Sequence, residues 1–131
     1  MPVGKFHESF IDGIEAVFRE RGLDAVRQFA TRSGRRTGYG DLVVPFPTGK
    51  LLIEVEMGTR RIENDLRKRI ELDLPSSPAW LWIVVPDATT KRRILQRLAG
   101  QNIGQNGHKQ ICVRTYAAAL EAAKSWVPEL V

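Results

Sequence analysis

The sequence contains a single cysteine, Cys112, so no second thiol is present to form an intrachain disulfide. Long hydrophobic runs are also lacking, since the longest, residues 79–86, is far shorter than the roughly 20 residues that a membrane-spanning helix needs. No basic-then-apolar leader stands at the N-terminus, so we expect a cytoplasmic protein that does not enter a membrane. Cys112 lies in an apolar stretch, which favours a buried and inert thiol.

Histidine is scarce as well, and the scarcity argues against two kinds of active site. The two histidines, His7 and His108, lie far apart in the sequence, so they suggest neither a catalytic triad nor a pair of metal ligands. We expect each of them at the surface. Gly49-Lys50 lacks the further glycines of a phosphate-binding loop, and nucleotide hydrolysis is therefore not supported.

The composition is that of an ordinary globular protein with a basic surface. An apolar fraction of 43% and a charged fraction of 27% in 131 residues predict a single domain over residues 1–131. Twenty Lys and Arg against fifteen Asp and Glu give a net charge of +5, which favours binding to a polyanion such as nucleic acid. Many basic proteins bind no nucleic acid, so charge alone does not decide the function.

Hydrophobic periodicity predicts nine elements along the chain. Apolar residues at helical spacing predict helices over residues 5–21, 59–72, 89–99 and 116–126. Apolar and alternating segments predict strands over residues 25–30, 41–46, 51–57, 80–85 and 110–114. The second and third strands form a hairpin with a loop of about four residues. The order α-β-β-β-α-β-α-β-α predicts an α/β fold with a mixed central sheet flanked by helices.

The predicted hairpin carries three carboxylates. Because residues two apart in a strand face the same side, Glu54 and Glu56 should share one face of the third strand. Asp41 begins the partner strand, and the hairpin can bring it close to Glu54. Neighbouring carboxylates repel each other, and a cation such as Mg²⁺ between them would explain their position. The alternative is an exposed edge strand that alternates apolar and acidic residues to stay soluble.

The segment Gly40-Asp41, a hairpin and then Ile53-Glu54-Val55-Glu56 resembles the signature of the PD-(D/E)XK nuclease superfamily. That signature places an acidic residue on one strand and E/D-x-K on the next, within an αβββαβ core. The resemblance covers about residues 5–85, which a C-terminal α-β-α extension follows. Gly40 stands where the signature has proline, and Glu56 stands where it usually has lysine. The resemblance implies a restriction-endonuclease-like fold and DNA hydrolysis that depends on Mg²⁺ or Mn²⁺.

The resemblance also implies roles for acidic residues at the metal. Asp41 and Glu54 would hold one or two Mg²⁺ ions, which lower the pKa of a bound water. In several such nucleases an acidic residue of the first helix assists metal binding. Glu8, Asp12 and Glu15 lie along one stripe of that helix, and we choose Glu15.

Water activation and DNA binding would involve other residues. The attacking water would be oriented by Glu56, by Lys68 or by both. In this interpretation Lys68, on the following helix, replaces the lysine of the signature. The alternative for Lys68 is a solvated helix face. Contacts to DNA phosphates are expected from the basic loop and the start of that helix, at Arg32, Arg35, Arg36, Arg60 and Arg61.

The small size, without an appended specificity domain, resembles the Holliday-junction resolvase branch of the superfamily. That resemblance implies a structure-specific endonuclease that acts as a homodimer. Two other functions stay open. The missing lysine favours a catalytically lapsed module that binds DNA or a protein partner. The chain also fits a nuclease subunit of a restriction or transposition complex that cleaves only with its partners.

Overall fold

The computed structural model describes residues 4–27, 42–58, 79–100 and 111–128 of the chain. The helices are α1 (Gly4–Glu20), α2 (Ala88–Gly100) and α3 (Tyr116–Ala123). The strands are β1 (Val26–Arg27), β2 (Leu42–Phe46), β3 (Gly49–Val55), β4 (Ala79–Val85) and β5 (Ile111–Thr115). The predicted helix over residues 59–72 lies outside the described residues. No helix in the described part of the chain is long and apolar enough to cross a membrane.

The strands form one five-stranded sheet in the order β1-β2-β3-β4-β5. The first three strands are antiparallel neighbours, whereas β3, β4 and β5 run parallel to one another. Parallel neighbours need a crossover connection, and α2 supplies it between β4 and β5. The structure is therefore an α/β fold with a mixed central sheet and flanking helices, as the sequence predicts.

Each face of the sheet carries its own hydrophobic core. On one face, α1 and α3 cover a core that includes Leu51, Ile53 and Val55 of β3. On the other face, α2 packs over β4 and β5, and the core there includes Leu52. The alternation along β3 follows from the period of two in a strand. It assigns every side chain of β3 to one of the two faces, including that of Glu54.

The β2–β3 hairpin has a shorter loop than the sequence predicts. Phe46 pairs with Gly49, so the loop consists of the two residues Pro47 and Thr48 rather than four. Gly49 and Lys50 belong to β3, because the backbone ladder continues through Pro45 and Lys50. A two-residue connection fixes the register of the pair along its whole length.

Aromatic rings fill the core beneath α1 and α3. The Trp82 ring is 1% exposed, and its centroid lies 5.9 Å from Phe18 and 5.6 Å from Trp126. Phe46 of β2 and Trp80 of β4 also contact Trp126, with ring centroids 5.3 and 6.0 Å from its own. All three tryptophans thus pack in or against this core.

The end of α3 differs from its prediction. The helix was expected to reach residue 126, but it ends at Ala123 and a turn follows. The N–H groups of Lys124 and Ser125 donate to carbonyls three positions back, Glu121 O at 3.3 Å and Ala122 O at 3.2 Å, which is the tightened pattern of a helix end. The turn keeps Trp126 attached to the helix, since its N–H donates to Ala122 O at 2.8 Å.

Helices α1 and α3 touch each other through small and aromatic residues. Phe10 stacks on Tyr116 with 4.2 Å between ring centroids. A Cβ at Gly13 would overlap the Tyr116 hydroxyl, so glycine permits this close approach. Arg21 Nη1 donates to Ala123 O at 2.8 Å and satisfies a carbonyl at the end of α3.

Asp87 caps the start of α2. Its Oδ1 accepts the backbone N–H of Thr90 at 2.8 Å, and its backbone oxygen accepts the N–H of Lys91 at 3.1 Å. Hydrogen bonds from the Thr90 backbone and hydroxyl hold the pKa of Asp87 below its usual value, and the Arg93 charge adds to the effect. Capping therefore favours the ionised carboxylate.

Removal of this cap is expected to cost stability in a pH-dependent way. Because the folded-state pKa of Asp87 is lowered, its ionisation stabilises the fold above the unfolded pKa of about 3.9, and this stabilisation disappears as pH falls through the folded value. Asp87→Ala should therefore lower the melting temperature at pH 7 and have a smaller effect in acid. Thermal unfolding followed by circular dichroism across pH 2–7 measures both. Asp87→Asn keeps an accepting oxygen and should remove only the pH-dependent part.

Candidate functional site

Glu54 is the charged side chain that the described part of the structure buries. It is 7% exposed and lies on β3, the central strand of the sheet. Its neighbour in β4 is Ile83, and both belong to the face that carries Leu52. Ionised groups in apolar surroundings are costly. A carboxylate at this position therefore requires a reason other than solubility, and the exposed-edge alternative does not describe β3, which has strands on both sides.

Glu56 extends the same row of side chains. Its backbone N–H donates to Val84 O at 2.8 Å, so hydrogen bonding to β4 continues beyond the last residue of β3. Val55 and Met57 both pack into the core on the α1 side. Glu56, which is half-buried, consequently faces the same side as Glu54. The positions of Val55 and Met57 thus agree with the predicted sharing of one face by the two glutamates.

Asp41 and most of the other predicted site residues lie outside the described residues. Asp41 immediately precedes Leu42, which pairs with Ile53 in the hairpin. The other predicted residues outside the described ranges are Lys68, Arg32, Arg35, Arg36, Arg60 and Arg61. Within residues 4–27, 42–58, 79–100 and 111–128, no group of three or more His, Cys, Asp or Glu side chains could hold a metal ion. The three-carboxylate site therefore stays a prediction.

Glu15 belongs to an ion-pair cluster on the other side of the sheet. Its Oε2 accepts from Arg19 Nε and its Oε1 accepts from Arg27 Nε, both at 3.1 Å. Helix α1 covers the face opposite Glu54, so the structure does not bring Glu15 and Glu54 together. A metal role for Glu15 would require both ion pairs to break.

Arg27 organises the whole acidic stripe of α1. From strand β1, its guanidinium contacts Glu8 at 3.0 Å and pairs also with Asp12 and Glu15. The Arg27 side chain is 22% exposed, so these ion pairs are partly shielded from water. The stripe is recognisable in the sequence, whereas its partner Arg27 is not. Strand β1 is too short to give a clear pattern, and the contact spans nineteen positions between Glu8 and Arg27.

His7 is more buried than the sequence suggested, and Cys112 is less buried. His7, expected at the surface, is only 14% exposed in its side chain, with Nδ1 3.5 Å from Glu8 Oε2. Cys112, expected to be buried, is half-buried at the margin of the core beneath α1 and α3. Strand β5 forms the edge of the sheet, which accounts for the partial exposure of Cys112. His108 lies outside the described residues.

Comparison with known proteins gives one structural similarity. No protein-family model matches the chain, and no curated protein sequence is similar to it. Among solved structures, the small subunit (R.BspD6I2) of the heterodimeric restriction endonuclease R.BspD6I is similar, with 15% sequence identity and a TM-score of 0.47. The alignment covers 83% of this chain and 72% of that one.

Proposed function

We propose that this chain is a metal-dependent DNA endonuclease, folded as a single domain over residues 1–131. The observation that carries the proposal is the buried Glu54 on the central strand, with Glu56 next along the same face. Leu42 pairs with Ile53, so one further step of the antiparallel ladder would pair Asp41 with Glu54. Directly opposite residues share a face, and the hairpin thus favours a cluster of carboxylates.

The donor set fits Mg²⁺ or Mn²⁺. Both prefer oxygen ligands, and Asp41 and Glu54 would supply carboxylate oxygens from two adjacent strands. When bound, the ion would neutralise the scissile phosphate and lower the pKa of a bound water. Glu56 and Lys68 would orient that water for in-line attack on phosphorus, and the P–O bond to the leaving oxygen would break. The chain's own groups thus position the attacking water and the scissile phosphate.

Binding of the substrate is proposed for the basic residues outside this cluster. Contacts to phosphate position a duplex without reading its sequence. The residues concerned are Arg32, Arg35, Arg36, Arg60 and Arg61. The proposal has two further parts, a preference for a branched junction and action as a homodimer. Their only support is the resemblance to junction resolvases.

A catalytically lapsed module is the second candidate. Glu56 stands where the signature usually has lysine, and this substitution favours a domain that binds DNA without cutting it. The two candidates differ in metal binding, because a lapsed site has no need to retain a divalent ion. A subunit that cleaves only with its partners is a third possibility and would leave the isolated chain inactive.

Cleavage assays test the proposal directly. Labelled four-way junction, linear duplex and single-stranded DNA are incubated with the full chain and Mg²⁺ or Mn²⁺. We expect metal-dependent cutting that Asp41→Asn reduces by about a hundredfold or more, because the substitution removes a proposed metal ligand. Asp24→Asn, at an exposed aspartate, is the matched control and should cut like wild type. Retained DNA binding without cutting of any substrate would contradict the nuclease proposal and favour the lapsed module.

A further inference from the structure

The outward face of α2 is cationic. Ile94 and Leu98 are buried against the sheet, Arg92 lies on the opposite side of the helix, and Arg93 and Arg97 are exposed along one flank. With 100° between successive residues, these three side chains spread over the solvent side of one helix. None of the arginines that the sequence analysis assigned to DNA belongs to this set.

The positive charge of the protein is concentrated in this part of the chain. Residues 88–120 contain no Asp or Glu but six cations, namely Lys91, Arg92, Arg93, Arg97, Lys109 and Arg114. All other residues together carry fourteen basic and fifteen acidic side chains. The net charge of +5 thus arises from residues 88–120, and α2 carries four of the six cations.

Like charges lie close together on α2. Arg93 and Arg97 are four positions apart, where like charges repel on a helix surface. Arg93 also lies near enough to Asp87 to help lower the pKa of that carboxyl. A polyanion bound along this face would reduce the repulsion between the arginines.

The position of α2 relates this surface to Glu54. Helix α2 packs on β4 and β5, on the face of the sheet to which Glu54 points, and β4 is the neighbour of β3. Arg93 and Arg97 are separated by about 6 Å along the helix axis, close to the roughly 7 Å that two nucleotide steps advance along the axis of duplex DNA. Successive arginines on α2 can therefore contact phosphates of the same strand.

We propose that the outward face of α2, through Arg92, Arg93 and Arg97, binds the phosphate backbone of duplex DNA. This inference deepens the nuclease proposal by adding a substrate-binding surface, and it rests on that proposal for its choice of DNA as the polyanion. The surface binds by charge and positions the duplex on the Glu54 side of the sheet.

The test is DNA binding without metal. Fluorescence anisotropy of a labelled linear duplex in EDTA measures affinity over a range of salt concentrations for wild type and for Arg92→Gln/Arg93→Gln. Each phosphate contact contributes about 0.9 to the slope of log affinity against log salt. The double variant should therefore lose about 1.8 of that slope, and its affinity at about 0.1 M salt should fall at least tenfold.

Two further variants separate charge from other effects. Arg92→Lys/Arg93→Lys keeps the charges and should retain most of the affinity. Lys124→Gln removes one exposed cation beyond α3, on the other side of the sheet, and should bind DNA like wild type. Arg93→Gln also removes one cation, but it should bind DNA more weakly than wild type. Circular dichroism melting confirms that each variant is folded.

The outcomes distinguish this inference from the nuclease proposal. Weaker binding by the α2 variants supports the surface even when the wild type cuts no substrate, because the assay contains no metal. Equal binding and equal salt slope for wild type and Arg92→Gln/Arg93→Gln would overturn it, even when Asp41→Asn abolishes cutting. A wild-type chain that fails to bind the duplex would overturn it as well.

Discussion

Glu54→Gln is expected to abolish metal-dependent cleavage and to remove metal binding, while the fold is retained. Glutamine has nearly the same shape, so the core around β3 keeps its packing, but the neutral amide is a poor ligand for a divalent cation. A lost metal ligand should reduce the cleavage rate by roughly three orders of magnitude or more, because it removes both charge neutralisation and the activated water.

Metal binding can be measured without activity. A ligand that binds only the folded state at a hundred times its dissociation constant stabilises that state by about 2.7 kcal/mol. Mn²⁺ should therefore raise the melting temperature of wild type and leave that of Glu54→Gln unchanged. Calorimetric titration with Mn²⁺ gives the same comparison at constant temperature.

Two neighbouring substitutions sharpen the result. Glu56→Gln should retain metal binding and lose cleavage by about a hundredfold to ten-thousandfold, because Glu56 is proposed to orient water rather than to hold the ion. Glu121→Gln changes a carboxylate that is 76% exposed on α3 and should alter neither property. Wild-type Mn²⁺ binding by Glu54→Gln would show that Glu54 is not a ligand and would remove the main support for the nuclease proposal.

Trp82→Ala is expected to produce the largest loss of stability among core substitutions. The Trp82 ring is fully buried between Phe18 and Trp126, and the Arg114 guanidinium lies over it with its central carbon 4.6 Å from the ring centroid. Truncation of a buried tryptophan to alanine costs about 3–5 kcal/mol, which includes the cavity that remains. Loss of the cation–π contact adds to that cost.

Urea denaturation followed by circular dichroism measures this loss, provided that the slope of the transition is unchanged. Trp80→Ala is the control, because Trp80 lies on the same face two residues earlier but is half-buried. It should cost less than Trp82→Ala. A smaller effect at Trp82 than at Trp80 would contradict the packing described here. Since small domains have about 5–15 kcal/mol of total stability, Trp82→Ala can remove much of it.

Most of the sheet could be predicted, because the hydrophobic patterns that indicate its strands are local in the sequence. Strand β4 reads as a continuous apolar segment, as expected for a strand with neighbours on both sides, and β3 alternates between two faces. That alternation also predicted the shared face of Glu54 and Glu56. A period of two needs no knowledge of the remainder of the chain, so this part of the candidate site could be derived from sequence.

Other features depend on contacts between distant segments, and sequence patterns do not encode them. The acidic stripe of α1 was recognisable, but its partner Arg27 lies on a two-residue strand that gives almost no periodic signal. The loop of the hairpin was predicted too long, because Gly49 and Lys50 are typical turn residues that here continue a strand. The cationic face of α2 required the structure, since only burial of Ile94 and Leu98 fixes which side of the helix faces outward.

The two-residue turn of the hairpin has a consequence for how the candidate site could change. Pro47 and Thr48 lie at the opposite end of the hairpin from the pairing of Leu42 with Ile53. A slip of the pairing by one position would move every side chain of one strand to the other face of the sheet relative to its partner. The two-residue turn, by holding the register, therefore acts as a remote determinant of the site's geometry.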